Sequence, residues 1–299
     1  MTEWQQQNLA AIKARLAPLG SLPDGTIFDG RGLHHIQIVK QGDQLLIFFV
    51  NGDGALEGPM SRLELGNPLR LLSSYTQAAM LALLWQPAPR RACLLGFAGG
   101  RMALVLHHHF PALTLDNVEL DPAFRDLAPR FFGVEFDARQ HLTIADARAF
   151  LAERTDAPYQ IIVMDAFRDN TDELDSLATV EFYALCRRRL ARGGVLCINL
   201  LRSDPRFAAK IRALQSQFAA LYLVALKHSL VLFAADQPRI RQAKLAQRAA
   251  ELHSRHQFNF PFVERMAFLA PLAEASPTLL EQIRRAEPLT DLAVGPEGT

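Results

Sequence analysis

The chain has 299 residues, 49% of them hydrophobic, enough for one large domain with a sizeable core and a smaller appendage. Its 32 Lys and Arg nearly cancel 31 Asp and Glu, which argues against a dominant nucleic-acid or membrane-surface role. The three cysteines, Cys93, Cys186 and Cys197, are far apart, sit in apolar segments and form no metal-ligand spacing. Together with the lack of an apolar run long enough to span a bilayer, they point to a soluble, cytoplasmic protein.

Residues 1–19 read as an amphipathic helix, with Trp4, Leu9, Ile12, Leu16 and Leu19 close to helical spacing. Glu3, the glutamines and Lys13 make this stretch unlike a signal peptide. Residues 20–70 are punctuated by Gly20, Pro23, Asp24-Gly25, Asp29-Gly30 and Gly42-Asp43. Between these turns lie two strand-like runs, 35–39 and 45–50, so a small antiparallel β-domain is expected. Residues 71–85 read as a helix stopped by Gln86-Pro87-Ala88-Pro89.

From Arg91 the rhythm is strand, helix, strand. Strands are expected at 91–95, 115–120, 141–144, 159–164, 194–200, 222–226 and 230–234. Helices are expected at 101–109, 122–132, 147–154, 180–192 and 205–219. This alternation predicts an α/β, Rossmann-like domain over residues 71–236, its mostly parallel sheet covered by helices on both faces. The last two strands, joined at Lys227-His228-Ser229, predict an antiparallel edge hairpin. Residues 237–299 read as a helical C-terminal extension.

Leu94-Leu95-Gly96-Phe97-Ala98-Gly99-Gly100 follows a buried strand and opens a helix. Glycines let the backbone turn sharply and approach a ligand. Glu119 ends the next strand, where a carboxylate can accept two hydrogen bonds from a ribose diol. This is the start of a nucleotide- or nucleoside-binding βαβ unit, although the spacing is not G-x-G-x-x-G; a plain strand-to-helix turn is the other reading. Asp146 has two readings as well, a ligand group or the cap of the helix that begins at Ala147. Asp165 ends a central strand, at the edge where open sheets bind ligands. The run His107-His108-His109 reads as a mixture of surface and sheet-facing residues, because adjacent histidines on a helix point in different directions. Arg187-Arg188-Arg189 and the basic run 239–248 read as solvated helix faces.

Taken in order, Leu94–Gly100, Val118-Glu119-Leu120-Asp121-Pro122, Ile144-Ala145-Asp146-Ala147-Arg148-Ala149-Phe150 and Ile161-Ile162-Val163-Met164-Asp165-Ala166-Phe167 resemble the spermidine synthase-like family, the polyamine aminopropyltransferases and their relatives. The resemblance spans residues 30–235, with Tyr75, Gly193-Gly194-Val195-Leu196 and the closing Pro288-Leu289-Thr290-Asp291. It implies a class I methyltransferase-type Rossmann-like fold behind a small N-terminal β-domain. It also implies a decarboxylated S-adenosylmethionine or S-adenosylmethionine co-substrate held by Gly96, Phe97, Ala98, Gly99, Glu119, Leu120, Asp146 and Ala147, with no metal. In this family Glu119 would bind the ribose and Asp146 the adenine amine. Asp165, with Tyr75 as partner, would take the proton of an attacking amine. A homodimer and a small-molecule amine acceptor follow from the same resemblance.

The chain departs from the family's pattern at several places. Ala98 stands where an Asp is usual in the glycine loop, and Arg168 where a second Asp follows the catalytic one. Thr76-Gln77 replaces His-Glu or Gln-Glu, and His34 takes the place of a Gln. A polyamine site needs carboxylates, so Asp169 and Asp172 are candidates to compensate for Arg168. Loss of the loop carboxylate also relaxes discrimination against the carboxylate of intact S-adenosylmethionine. Three functions follow: a spermidine synthase-like aminopropyltransferase, a methyltransferase using intact S-adenosylmethionine on an unknown acceptor, and a catalytically silent nucleoside-binding paralogue.

Overall fold

The computed structural model describes residues 2–52, 54–56, 58–166, 175–237 and 240–295. Arg168, Asp169, Asp172 and Arg239 lie outside the described residues. Helix α1 (Glu3–Gly20) opens on a capping box, in which Thr2 accepts from the amide of Gln5 while the Gln5 side chain accepts from the amide of Thr2. It buries Ile12, Leu16 and Leu19, and Ile12 and Leu16 lie against Gly133, at the end of a helix of the main domain.

Four antiparallel strands follow in simple order: β1 (Gly25–Arg31), β2 (His35–Gln41), β3 (Gln44–Phe49) and β4 (Ser61–Glu64). Sequence reading found only the middle pair. The outer strands lack its apolar runs: β1 is half solvent-facing, and β4 is four residues long. Residues 71–85, expected as one helix, begin with an extended approach. They then form α2 (Ser74–Ala79) and a tighter 3-10 turn over Met80–Leu84.

The main sheet contains β5 (Arg91–Leu95), β6 (Thr114–Glu119), β7 (Gln140–Ile144), β8 (Tyr159–Met164), β9 (Leu190–Leu201), β10 (Ala220–Ala225), β11 (Ser229–Ala235) and β12 (Leu269–Pro271). Its order is β12-β10-β11-β9-β8-β5-β6-β7. β5 to β9 are parallel to their neighbours, and β11 joins β9 antiparallel. The hairpin β10–β11 is present as expected, with β12 added outside it, antiparallel to β10. Helices α3 (Arg101–His109), α4 (Phe124–Phe132), α5 (Ala147–Glu153), α6 (Val180–Arg189) and α7 (Phe207–Gln217) alternate with the strands. The chain after β11 adds α8 (Gln242–His256), α9 (Phe262–Met266), α10 (Pro277–Arg285) and α11 (Asp291–Val294).

Side chains alternate across the pleat. Ala92 and Leu94 of β5 belong to one apolar core, with Trp85, Leu252 and Phe262. Cys93 and Leu95 belong to the other, with Phe150, Phe182 and Leu214. A third core joins the small sheet to α1, α3 and α4 through Ile38, Ile47, Leu104 and Phe131. The strand order reverses at β5: the chain moves outward to β6 and β7, then returns to β8 on the other side. The ligand crevice of an open sheet forms at such a switch point, beyond the carboxyl ends of the strands.

Histidines 107, 108 and 109 are all buried, against the expectation of a partly solvated set. α1 covers two of them: His108 Nδ1 meets Asn8 Oδ1 at 2.9 Å, and Trp4 packs edge-on to His107. Phe258 and His256 cover the third.

Candidate functional site

Gly96 leaves β5 at φ +91°, and its amide donates to Val118 O at 3.0 Å. A Cβ added here would lie 2.2 Å from the carbonyl oxygen of Asp165, so only glycine fits between β6 and β8. Ala98 is left-handed at φ +45°, a conformation that strains a residue with a Cβ. The strain has a visible product. The amides of Phe97 and Ala98 turn together and donate to Glu119 Oε2 at 3.1 and 2.9 Å. Glu119 Oε1 accepts from the amides of Leu120 and Asp121 at 2.8 and 3.0 Å. One carboxylate thus ties the loop after β5 to the loop after β6. A diol that bonds to Glu119 competes with these amides for its lone pairs.

A single cavity is lined by Gly96, Phe97, Ala98, Glu119, Leu120, Asp146, Ala147, Tyr75 and Asp165. Gly99 is the exception among the candidate residues. It faces the small sheet, where an added Cβ would stand 2.6 Å from Ser61 Oγ. Asp146 caps α5, its Oδ1 accepting from the amide of Ala149 at 2.7 Å. The capping expectation is met, and the residue still stands on the cavity wall. Arg148, two residues on, bonds both oxygens of Asp291, and Val180 donates to the carbonyl of Leu289 at 2.8 Å. The closing Leu289-Thr290-Asp291 segment is thereby clasped onto the helix that begins at the cavity.

Asp165 follows β8, with its amide donating to Leu95 O at 2.8 Å. Its Oδ1 accepts from Asn199 Nδ2 at 3.1 Å. In the parallel register Met164 pairs with Ile198, so the next residues on each strand, Asp165 and Asn199, come side by side. Sequence reading passed over Asn199. The available signal was one amide in a run of Val195, Leu196, Cys197, Ile198, Leu200 and Leu201. Tyr75 comes from α2, on the other side of the cavity. Burial, followed by the neighbouring Asp165 carboxylate, pushes its phenol well above the usual tyrosine range. The phenol therefore stays protonated and can donate to Asp165. Thr76 and Gln77 are engaged in structural bonds, Thr76 to Ser73 O and Gln77 to Leu71 O and Arg265 Nε, and Thr76 also stands on the cavity wall.

The small sheet roofs the cavity. His34 lies flat on Phe49 at 4.5 Å between ring centroids. Its amide donates to the buried Asp121 Oδ2 at 2.9 Å, and its Nδ1 lies 3.3 Å from the same oxygen. Gly32 is forced by this contact, since a Cβ there would come within 2.5 Å of Asp121 Oδ1. Arg101, the first residue of α3, also lines the cavity; it was read from sequence only as the start of a helix. It is 6% exposed, and only its Nη2 finds acceptors, the carbonyls of Pro68 and Arg70. Among the described residues, no group of three or more His, Cys, Asp or Glu is placed to hold a metal ion, and no helix is long and apolar enough to cross a membrane.

No family model matches the chain. The chain is 30% identical over 216 residues to a polyamine aminopropyltransferase of Chromobacterium violaceum, a match covering 69% of this chain and 81% of that protein. It is also 30% identical over 161 residues to the eEF1A lysine and N-terminal methyltransferase of Mus musculus, covering 48% of this chain and 23% of that protein. Among solved structures, a spermidine synthase in complex with the transition-state analogue AdoDATO superposes with a TM-score of 0.65 at 16% identity, over 87% of this chain and 88% of that one. At that identity the likeness concerns the fold.

Proposed function

The chain belongs to the polyamine aminopropyltransferase family, and on that footing we propose that it transfers a group from an S-adenosylmethionine-type sulfonium donor to the nitrogen of an amine. The observation that carries this reading is the joint placement of Tyr75 and Asp165, the latter held by Asn199 from the neighbouring strand, on the cavity that the glycine loop and Glu119 also line. The adenosyl part would lie along Gly96–Ala98, its ribose toward Glu119 and its adenine toward Asp146 and Ala147. The sulfonium would then stand near Asp165.

The chemistry is a displacement. An ammonium has no lone pair, so the amine must first lose a proton, and Asp165 is the base in reach. The nitrogen attacks the carbon beside sulfur, the carbon–sulfur bond breaks, and its electrons stay on sulfur as a neutral thioether. The positive charge of the donor is discharged in the same step. Tyr75 and Asn199 hold the Asp165 carboxylate in place, Tyr75 as a phenol that keeps its proton. An aminopropyl group passed to a polyamine is the first reading. Methyl transfer is the second, favoured by Ala98, which leaves the loop without the carboxylate expected beside a carboxylate-free donor tail.

Two measurements test the proposal. Calorimetry with methylthioadenosine tests the nucleoside pocket. Product analysis with each donor and putrescine, for wild type and Asp165→Asn, tests the base. Turnover in the variant is expected to fall by roughly 10²-fold or more while methylthioadenosine binding survives. Absence of nucleoside binding in wild type, or full activity of Asp165→Asn, would overturn it.

A further inference from the structure

Arg101 is the least satisfied charge in the described structure. It is 6% exposed, and its Nε and Nη1 are buried without any hydrogen-bond partner. Its two acceptors are neutral carbonyls, and no carboxylate pairs with it among the described residues. Burial pulls the guanidinium down from its ordinary value to about 9, so it remains a cation near neutral pH. It also sits at the first position of the nine-residue α3, where the helix already presents its positive end. A cation at that end is unfavourable unless an anion is brought to it.

The nearby acidic groups are occupied elsewhere. Glu119 is bound by four backbone amides, Asp146 caps α5, and Asp165 accepts from Asn199. Arg101 is a residue of the cavity wall, and its buried Nε and Nη1 are left without an acceptor there. A guanidinium N–H donates to a carboxylate oxygen as a charge-assisted hydrogen bond. Arg101 lies three residues beyond Ala98, the loop position where the chain has no acid to receive a lone ammonium.

We propose that Arg101 is a carboxylate-reading residue, and that the donor it selects carries its α-carboxylate: intact S-adenosylmethionine rather than the decarboxylated form. This rests on the adenosyl-binding reading of the same cavity and, by naming the intact donor, favours the second of its two reactions, methyl transfer, over aminopropyl transfer. The glycine loop would hold the nucleoside, and the amino-acid tail would extend toward the start of α3. The carboxylate would supply the acceptor that Nε and Nη1 lack. A decarboxylated donor would leave the guanidinium unpaired and set its own ammonium beside a cation.

The test is calorimetric titration of the full chain with methylthioadenosine, S-adenosylmethionine and decarboxylated S-adenosylmethionine. Wild type is expected to prefer the intact form by roughly 10- to 150-fold, the worth of a hydrogen-bonded charge pair. Arg101→Met should bring the two affinities to within about threefold of each other and leave methylthioadenosine unchanged, while Arg101→Lys keeps part of the preference. The wild-type ratio alone decides the matter if the variants fail to fold. Equal affinities, or a preference for the decarboxylated form in protein that binds methylthioadenosine, would overturn the role of Arg101 and leave the adenosyl reading standing. Failure of methylthioadenosine itself to bind would remove both. A further arm titrates glutamate into the methylthioadenosine complex. Binding that is lost in Arg101→Met would assign the carboxylate to the acceptor and overturn the donor assignment.

Discussion

Asn199 donates its side-chain N–H to Asp165 Oδ1 across 3.1 Å, from the end of one parallel strand to the end of its neighbour. A donor aimed at a carboxylate favours the ionised form and lowers its pKa. Replacing Asn199 with Leu removes that donor, so the base becomes protonated at higher pH. The acid limb of the pH profile of kcat/KM should move to higher pH, with methylthioadenosine affinity held. An unmoved limb in a folded variant would show that Asn199 does not tune the base.

Glu119 should prove structural and ligand-binding at once, because its two oxygens already hold four amides. Glu119→Ala is expected to weaken methylthioadenosine binding by about 1.5–3 kcal/mol, the usual range for hydrogen bonds to a charged group. It should also lower the melting temperature, since four amides lose their acceptor together. Calorimetry and a thermal melt on the same sample separate the two effects. A lower melting point with unchanged affinity would place Glu119 in the scaffold alone.

Ala98 offers a clean pair of substitutions. At φ +45° a Cβ is strained, so Ala98→Gly should be neutral to stabilising, by up to about 1 kcal/mol, in a denaturant titration. Ala98→Asp tolerates the same backbone angle and adds a charge to the cavity wall. It should shift the affinity ratio toward decarboxylated S-adenosylmethionine by roughly 5- to 150-fold. An unchanged ratio in protein that still binds methylthioadenosine would show that position 98 does not face the donor's tail.

Stability should fall with acid in a definite window. Burial pushes His108 down to about 4, His109 to about 3 and His256 to about 4, with neighbouring positive charge adding to it. In the unfolded chain these rings titrate near an ordinary 6.5. Below that value the unfolded state binds protons that the folded state refuses, so stability is complete above pH 6.5 and drains away as the pH drops toward 4. At pH 5 the loss is at most about 2 kcal/mol for each of His108 and His109, from some 1.5 pK units of refused protonation. Replacing His109 with Phe should flatten the fall of melting temperature between pH 7 and pH 5. An equally steep fall in the variant would remove His109 from the account.

The main sheet was legible because its parallel strands are buried on both faces and read as short apolar runs, Leu94–Leu95 and Ile161–Val163 among them. The outer strands of the small sheet were not, since Thr26, Asp29 and Arg62 carry no such pattern. The loop, Glu119, Asp146, Asp165 and Tyr75 could be named from motif order, and the structure lines one cavity with them. Asn199 and Arg101 could not. What sets them apart is a partner, or the lack of one, and that depends on which strand lies alongside and which loop closes over a helix start. The burial of three adjacent histidines was missed for the same reason: α1 and α8, remote in sequence, supply the cover.

The clasp between Arg148 and Asp291 has a temporal side. The two residues are separated by 143 positions. At about 5–20 residues per second a ribosome needs on the order of 10 s to make that stretch. For that interval α5 and its capping Asp146 exist without their final anchor, exposed to the competing pairings open to any growing chain. Completion of that wall of the cavity therefore waits until Asp291 has been made. Premature termination a few residues before Asp291 would leave a chain with its sheet intact and that corner of the cavity unlatched.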